Sequence, residues 1–324
     1  MSTENQTLFL ESEVGDEAVG KRLDQALAFL FPQYSRSRLK KWIEEEVVAV
    51  NGEIKRPRDK VNLADKITIT TTAEKNNYEW IAEKKPLDIC YEDDHLLVIN
   101  KSANWVTHPG AGNWTGTVMN ALLYHAPQLA EIPRAGVVHR LDKDTTGLMV
   151  VAKSLIAHAH LVKQLQARTV KRTYETIVGG RVISGGTVDA PIGRHPQERV
   201  RMAVLESGKT AISHYRVLER FEAYSHLRVD LETGRTHQIR VHMAHIRYPV
   251  VGDKVYGGRL RLPPHSTEAF REALKNFPRQ ALHAKALTLV HPISGEEMSF
   301  EVPIPEDMEG LLNILRKGMS ATKN

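Results

Sequence analysis

The chain holds a single cysteine, Cys90, in 324 residues. One thiol excludes an internal disulfide framework and any cysteine-based zinc knuckle. No apolar run approaches the roughly 18 residues that a membrane-spanning helix needs. The opening stretch, MSTENQTLFLESEV, has neither a basic segment nor a long apolar core, so no signal peptide is expected. No repeat of fixed period and no low-complexity tract interrupts the chain. An excess of one charge is nearly absent too: 44 Lys and Arg against 39 Asp and Glu leave a net charge of +5. That is a mild bias towards polyanionic partners, too small to establish one. What is present is a composition of 41% hydrophobic and 26% charged residues, which fits a soluble globular protein and excludes global disorder. The length suits one large domain with a small one, or two of middling size. The expected location is the cytoplasm.

Residues 1–18 are polar and acidic and are expected to form a loose arm. From Leu23 the pattern turns helical, with Leu23, Ala26, Leu27 and Leu30 on one face. Ser35 or Ser37 can cap a second helix with Leu39 and Ile43 as its apolar stripe. Arg36, Arg38, Lys40 and Lys41 crowd that helix, and Lys55, Arg56, Arg58 and Lys60 follow close behind. A charge run of this kind is often only a solvated helix face. VVAVNGEIK reads as a hairpin turning at Asn51-Gly52, and KITIT as a further strand. Residues 73–86, polar and lysine-rich, suit a linker or an ordered surface loop equally. Beyond residue 87, LLVINK, LMVVAK, YETIVGG, SHYRVLER, SHLRVDLETG and ALTLVHP read as strands. Helices are predicted over 117–125, 154–168 and 266–277. Strands outnumber helices and do not alternate strictly with them, so the pattern predicts an α+β sheet domain and not a doubly wound parallel sheet.

The densest polar cluster runs from Arg134 to Gly147 (RAGVVHRLDKDTTG). It is predicted as a charged loop between two core strands, AGVV and LMVVAK, where a rigid scaffold can carry a site. An ordinary polar turn explains the same residue types. A second cluster, Thr233 to Met243 (TGRTHQIRVHM), follows another strand. Arg235 there can reach an aspartate of the first loop, and a guanidinium beside a carboxylate favours its ionised form. An ionised aspartate can act as nucleophile or base. In Lys171-Arg-Thr-Tyr174 an aromatic sits among cations, which suits stacking on a nucleobase; packing on the sheet is the plainer reading. Asp144 is either a second carboxylate of an acid–base pair or, as expected, a turn cap with Thr145 and Thr146. His237, His242 and His245 have spacings that zinc can use, but no H-E-x-x-H pattern surrounds them.

HRLDKDTTGLMVVAK, KRTYE and ETGRTHQIRVHMAHIRYPVVGDKVYGG, in this order, resemble the signature blocks of the RluA family of pseudouridine synthases, which isomerise uridine in RNA. RLDQALAFLFPQYSRSRLKKWIEEEVVAVNGE is similar to an S4 RNA-binding domain. The likeness covers nearly the whole chain. It implies an arm (1–18), an S4-like domain (19–82) and a synthase catalytic domain (83–324) built on a mixed, mainly antiparallel sheet. It implies Asp142 as the catalytic aspartate, Tyr174 as the tyrosine packed on the target base, and Arg235 as the basic partner of Asp142. Arg140 would take the place of the flipped base, whose extrusion costs about a few kcal/mol. Ile239 would form the floor under the base, and Arg36, Arg38, Lys40 and Lys41 would bind RNA. The expected substrate is 23S ribosomal RNA or a large-subunit assembly intermediate, with the enzyme a monomer. Isomerisation involves no net redox change or group transfer, so no metal and no organic cofactor is expected.

Two other classes compete. Asp142-Lys-Asp144-Thr-Thr146 also matches the D-x-D-x-T loop of haloacid-dehalogenase-type phosphatases, which place magnesium beside the nucleophile. That reading needs a later acidic pair, and Gly252-Asp253 has no second aspartate close behind. A pure RNA-binding module explains the S4-like segment as well, but not the Asp142 and Arg235 blocks.

Overall fold

The computed structural model describes residues 7–31, 34, 36–72, 81–110, 113–198, 200–260, 262–263 and 266–320. Most of the expected linker, residues 73–80, lies outside them. By its internal contacts the chain divides into two units: Met1–Ile81 with Ala130–Pro133, and Ala82–Leu129 with Arg134–Asn324.

The first unit comprises β1 (Thr7–Glu13), α1 (Leu23–Leu30), α2 (Arg36–Glu44), β2 (Val48–Val50), β3 (Glu53–Ile54) and β4 (Lys66–Thr72). Its sheet runs β1-β4-β2-β3, antiparallel throughout. Leu23, Ala26 and Leu27, spaced for one helical face, are buried with Leu39, Ile43, Val48, Ile67 and Ile69 in one core. The expectation of a loose arm over 1–18 is corrected by β1. Residues 8–13 alternate, with Leu8 and Leu10 packed against that core and Phe9 outside. The alternation matches the two-residue period of a strand, so β1 pairs with β4 along its whole length.

The second unit is α+β. Its strands are β5 (Ile89–Glu92), β6 (Leu96–Lys101), β7 (Thr146–Ala152), β8 (Lys171–Gly179), β9 (Gly186–Asp189), β10 (Ile192–Arg194), β11 (Met202–Val204), β12 (Ile212–Arg220), β13 (Tyr224–Leu231), β14 (Leu282–Val290) and β15 (Glu297–Glu301). Its helices are α3 (Val118–His125), α4 (Leu155–Ala167), α5 (Gln238–His245), α6 (Glu268–Lys275) and α7 (Glu306–Ser320). One sheet of nine strands runs β5-β6-β7-β14-β8-β13-β12-β9, with β15 also paired to β14. Among the described residues only β7 and β14 are parallel neighbours, so the sheet is mixed and mainly antiparallel. Every residue of β7 is buried, as an unbroken apolar run at a sheet centre requires. Gly147 lets β7 approach β14: a Cβ there would lie 2.2 Å from the Ala284 carbonyl oxygen.

The expected strand AGVV does not form. Arg134, Ala135 and Gly136 are all left-handed, with φ of 57°, 50° and 76°. Val137 makes a lone bridge to Val151. A Cβ on Gly136 would sit 1.9 Å from the Ala152 carbonyl oxygen, so glycine is what lets this turn press against the end of β7. The apolar run predicts a strand, but its burial comes from this close turn.

Candidate active site

The loop from His139 to Thr145 joins that turn to β7, and it is tied down along its length. Thr107 Oγ1 donates to the Leu141 carbonyl at 3.0 Å. Lys101 Nζ donates to the carbonyls of Ser102, Trp105 and Lys143, each at 2.9 Å. Burial pulls the Lys101 ammonium down to about 7, although Asp144 and Asp142 favour its charge. Arg279 Nη1 donates to the Asp144 carbonyl and Gln280 Nε2 to Thr145 Oγ1. His139 Nε2 accepts the Val150 N–H at 3.0 Å. Burial takes His139 down to about 3, followed by Arg172 and His108, so the ring is neutral. Asp144 Oδ1 is buried without a hydrogen-bond partner. The turn expected to be capped by that carboxylate is closed by the Thr145 N–H on the Asp142 carbonyl, at 3.1 Å.

Asp142 projects from this loop with its side chain 16% exposed, open enough to meet a substrate. Its Oδ2 takes Arg240 Nη1 at 2.9 Å. The rest of that guanidinium fork is held by Asp253, Nε to Oδ2 at 2.7 Å and Nη2 to Oδ1 at 2.9 Å. Asp253 also accepts the Val255 and Tyr256 N–H groups. Burial works against the charge on Arg240, but the bonds and fields of Asp253 and Asp142 outweigh it and raise its pKa. Burial likewise opposes ionisation of Asp253, and Arg240 with the two amides overrides it, lowering its pKa. The site therefore contains a fixed carboxylate–guanidinium–carboxylate chain.

This corrects the expected partner. Arg235 does not supply the guanidinium at Asp142; its Nε donates to the Thr210 carbonyl at 2.9 Å. Arg235 precedes α5, where Gln238 Oε1 takes its backbone N–H, and its side chain runs along the wall of the pocket towards β12. Arg240 lies in the first turn of α5, on the face it shares with His237 at i, i+3 spacing. Flanked by buried Ile239 and Val241, it carries a weak sign of burial in the sequence, but nothing local names its partners 98 and 13 residues away.

Asp142 opens onto a pocket of 580 Å³ walled by Arg134, Arg140, Arg168, Arg172, Arg235 and Tyr174. Tyr174 is buried on β8. Burial raises its phenol pKa, as does the charge of Asp142, against the pull of Arg172, so the hydroxyl keeps its proton at neutral pH. Ile239 is buried on α5 and Arg140 is exposed. His108 also lines the pocket, with Nε2 buried and unpartnered. Lys40 and Lys41 belong to the first unit, where each pairs with a glutamate one turn on. The side chains of Arg36 and Arg38 lie outside the described residues.

Two of the three histidines whose spacing zinc could use have other partners. His242 sits between Ser213 Oγ at 2.9 Å and the Ala190 carbonyl at 3.0 Å, and His237 bonds Tyr256. Among the described residues no group of three or more His, Cys, Asp or Glu side chains is placed to hold a metal ion.

Residues 95–245 match the RNA pseudouridylate synthase family, and residues 21–67 match the S4 domain. The chain belongs to the RNA pseudouridylate synthase family. It is 57% identical to the ribosomal large subunit pseudouridine synthase D of Pseudomonas aeruginosa, over 96% of this chain and 97% of that one. Proteins of the same name from Haemophilus influenzae and Escherichia coli are 55% and 52% identical, over 95% and 98% of both chains respectively. Among solved structures, human RNA pseudouridylate synthase domain containing 4 superposes with a TM-score of 0.55 at 25% identity, covering 70% of this chain and 92% of that one.

Proposed function

We propose that this protein converts specific uridines of large-subunit (23S) ribosomal RNA to pseudouridine, with Asp142 as the reacting carboxylate. The observation that carries this reading is the geometry at Asp142: one oxygen is held by Arg240, and the residue lines a pocket walled by arginines. Such a pocket suits a nucleotide with its phosphates, because guanidinium groups match phosphate oxygens in fork geometry. The reaction breaks the C1′–N1 bond of uridine and forms a C1′–C5 bond. A proton leaves C5 and one arrives at N1, so the atoms balance without a cofactor. The extruded base would pack on Tyr174 above Ile239, and Arg140, exposed at the mouth, would fill the gap left in the RNA. Tyr174 would stack on the base, its hydroxyl protonated before the reaction begins.

The S4-like unit, residues 19–82, would hold the same RNA through the basic residues of α2, and residues 83–324 would carry the chemistry. A ribosomal RNA substrate implies a cytoplasmic location. The test is pseudouridine mapping of large-subunit rRNA from cells lacking the protein. Loss of discrete pseudouridines, restored by the wild-type gene and not by the Asp142→Asn gene, is expected. An unchanged map would overturn the proposal.

A further inference from the structure

Oδ1 of Asp142, the oxygen that Arg240 does not hold, is approached by His237 Nε2 at 3.9 Å. That is too long for a hydrogen bond, though one small side-chain adjustment would close it. The other ring nitrogen, Nδ1, lies 2.8 Å from the Tyr256 hydroxyl. That hydroxyl already accepts the Met202 N–H at 2.8 Å. The phenol still carries its own proton, which it can donate to Nδ1. The ring proton then sits on Nε2, the nitrogen that faces the aspartate.

Tyr256 serves both groups that flank the carboxylate. Its ring meets the His237 ring edge-on, at 5.6 Å and 72°, and Arg240 lies over it at 5.0 Å. His237 is also the N-cap of α5, with φ 58° and ψ 20°. Histidine is among the residues that tolerate this left-handed region, but few non-glycine residues occupy it. A backbone outlier held in place beside a reacting group is a reason to look for a role.

We propose that His237 is a positioning residue for Asp142: its Nε2–H, oriented by Tyr256, closes on Oδ1 when the target nucleotide enters and aims that oxygen at it. The inference rests on the reading that Asp142 is the reacting carboxylate. Arg240 holds one oxygen only, and a carboxylate fixed at one point still swings about that contact. A second N–H fixes its plane, and orientation of this kind is a large part of what an active site contributes to rate. Burial lowers the pKa of His237. Arg240 and Arg140 push the same way, against the pull of Asp142 and Asp253. A neutral ring steers the carboxylate without adding a full positive charge beside it.

The test compares His237→Leu and His237→Gln in the full-length protein, in single-turnover pseudouridine formation and RNA binding on a large-subunit rRNA fragment. The leucine variant is expected to react about 10- to 100-fold more slowly, with RNA affinity within about two-fold of wild type. Glutamine, whose amide N–H reaches the position of Nε2, is expected to recover most of the rate. Tyr256→Phe should slow the wild-type enzyme and add little to His237→Leu, as coupled residues do. If the leucine variant does not fold, as read by thermal melting, His237→Asn replaces it: its amide stops short of Oδ1, so it should stay slow where glutamine is fast. A leucine variant as fast as wild type, a glutamine variant as slow as leucine, or a loss confined to RNA affinity would each overturn the proposal. Asp142→Asn is run alongside. If it retains activity, the underlying reading fails; if it is inactive while His237→Leu is fully active, only the positioning role fails.

Discussion

Arg240 is bound by carboxylates on two sides, and Asp253 behind it has no exposed side-chain surface. Removing the guanidinium leaves that carboxylate buried and unpaired, which costs about 3–5 kcal/mol. Arg240→Met is therefore expected to lower the melting temperature by roughly 10 °C and to abolish most of the activity. Arg235→Met should leave melting nearly unchanged and weaken RNA binding. The slope of log affinity against log salt should flatten by about 0.7 to 0.9 for each phosphate no longer neutralised. Thermal melts and binding titrations of the two variants check this, and equal melting losses would contradict it. The blocks that hold Asp142, Tyr174 and Arg140 stand out in the sequence, and the fold brings these three to one pocket, while Ile239 is buried on α5. The choice between Arg235 and Arg240 is not legible in the sequence. Two arginines five residues apart look alike in sequence, and the helix start at Gln238 decides which one faces the aspartate.

Elements away from the site are fixed by their own polar groups, and the turn between β5 and β6, at the far end of β7 from the Asp142 loop, is an example. Asp93 accepts the Tyr91 hydroxyl, the His95 and Leu96 N–H groups and His291 Nε2. Burial alone would raise its pKa, but these bonds outweigh it and hold the carboxyl at about 2, against an ordinary value of 3.8. A carboxyl depressed on folding stabilises the fold above its unfolded pKa, and that stabilisation is lost as the pH falls through the folded value. With part of the side chain still in solvent, its contribution is about 1–2 kcal/mol. In acid unfolding, the gap between wild type and Asp93→Asn should be full above pH 4 and shrink towards pH 2. A gap that does not change with pH would contradict it. The strands with β-branched runs are readable from the sequence, as are α1, α3 and α4. AGVV misleads because burial against a close left-handed turn produces the same apolar run as a strand. β1 escapes notice because exposed Phe9 masks the alternation and Glu11 and Glu13 make the stretch read as polar, and α7 because its stretch carries no block that stands out.

At the scale of the whole molecule, a net charge of +5 is less informative than its distribution: arginines wall the pocket, and a second basic group lies on α2. Lys40 and Lys41 pair with Glu44 and Glu45 at i, i+4 spacing. Such exposed pairs are worth only about 0.3–0.5 kcal/mol, so a phosphate can displace them. The first unit has a core of its own. Deleting residues 1–81 is expected to leave isomerisation intact on saturating RNA, weaken binding, and flatten the salt dependence by about 0.7 to 0.9 per phosphate given up. Affinity against salt, for full-length and shortened proteins, on rRNA and on an unrelated RNA, measures this. Equal slopes and equal discrimination would mean the first unit does not bind RNA.

If the Asp142 carboxylate carries out the reaction, removing its charge alone should stop it. Asparagine is nearly the same size and keeps an oxygen for Arg240 Nη1, so Asp142→Asn removes the charge with little change of shape. The measurement is single-turnover pseudouridine formation by this variant, with RNA affinity determined on the same preparation. No product is expected over the time in which the wild type reaches completion, with an RNA affinity within about three-fold of wild type. Turnover within about ten-fold of wild type would contradict it.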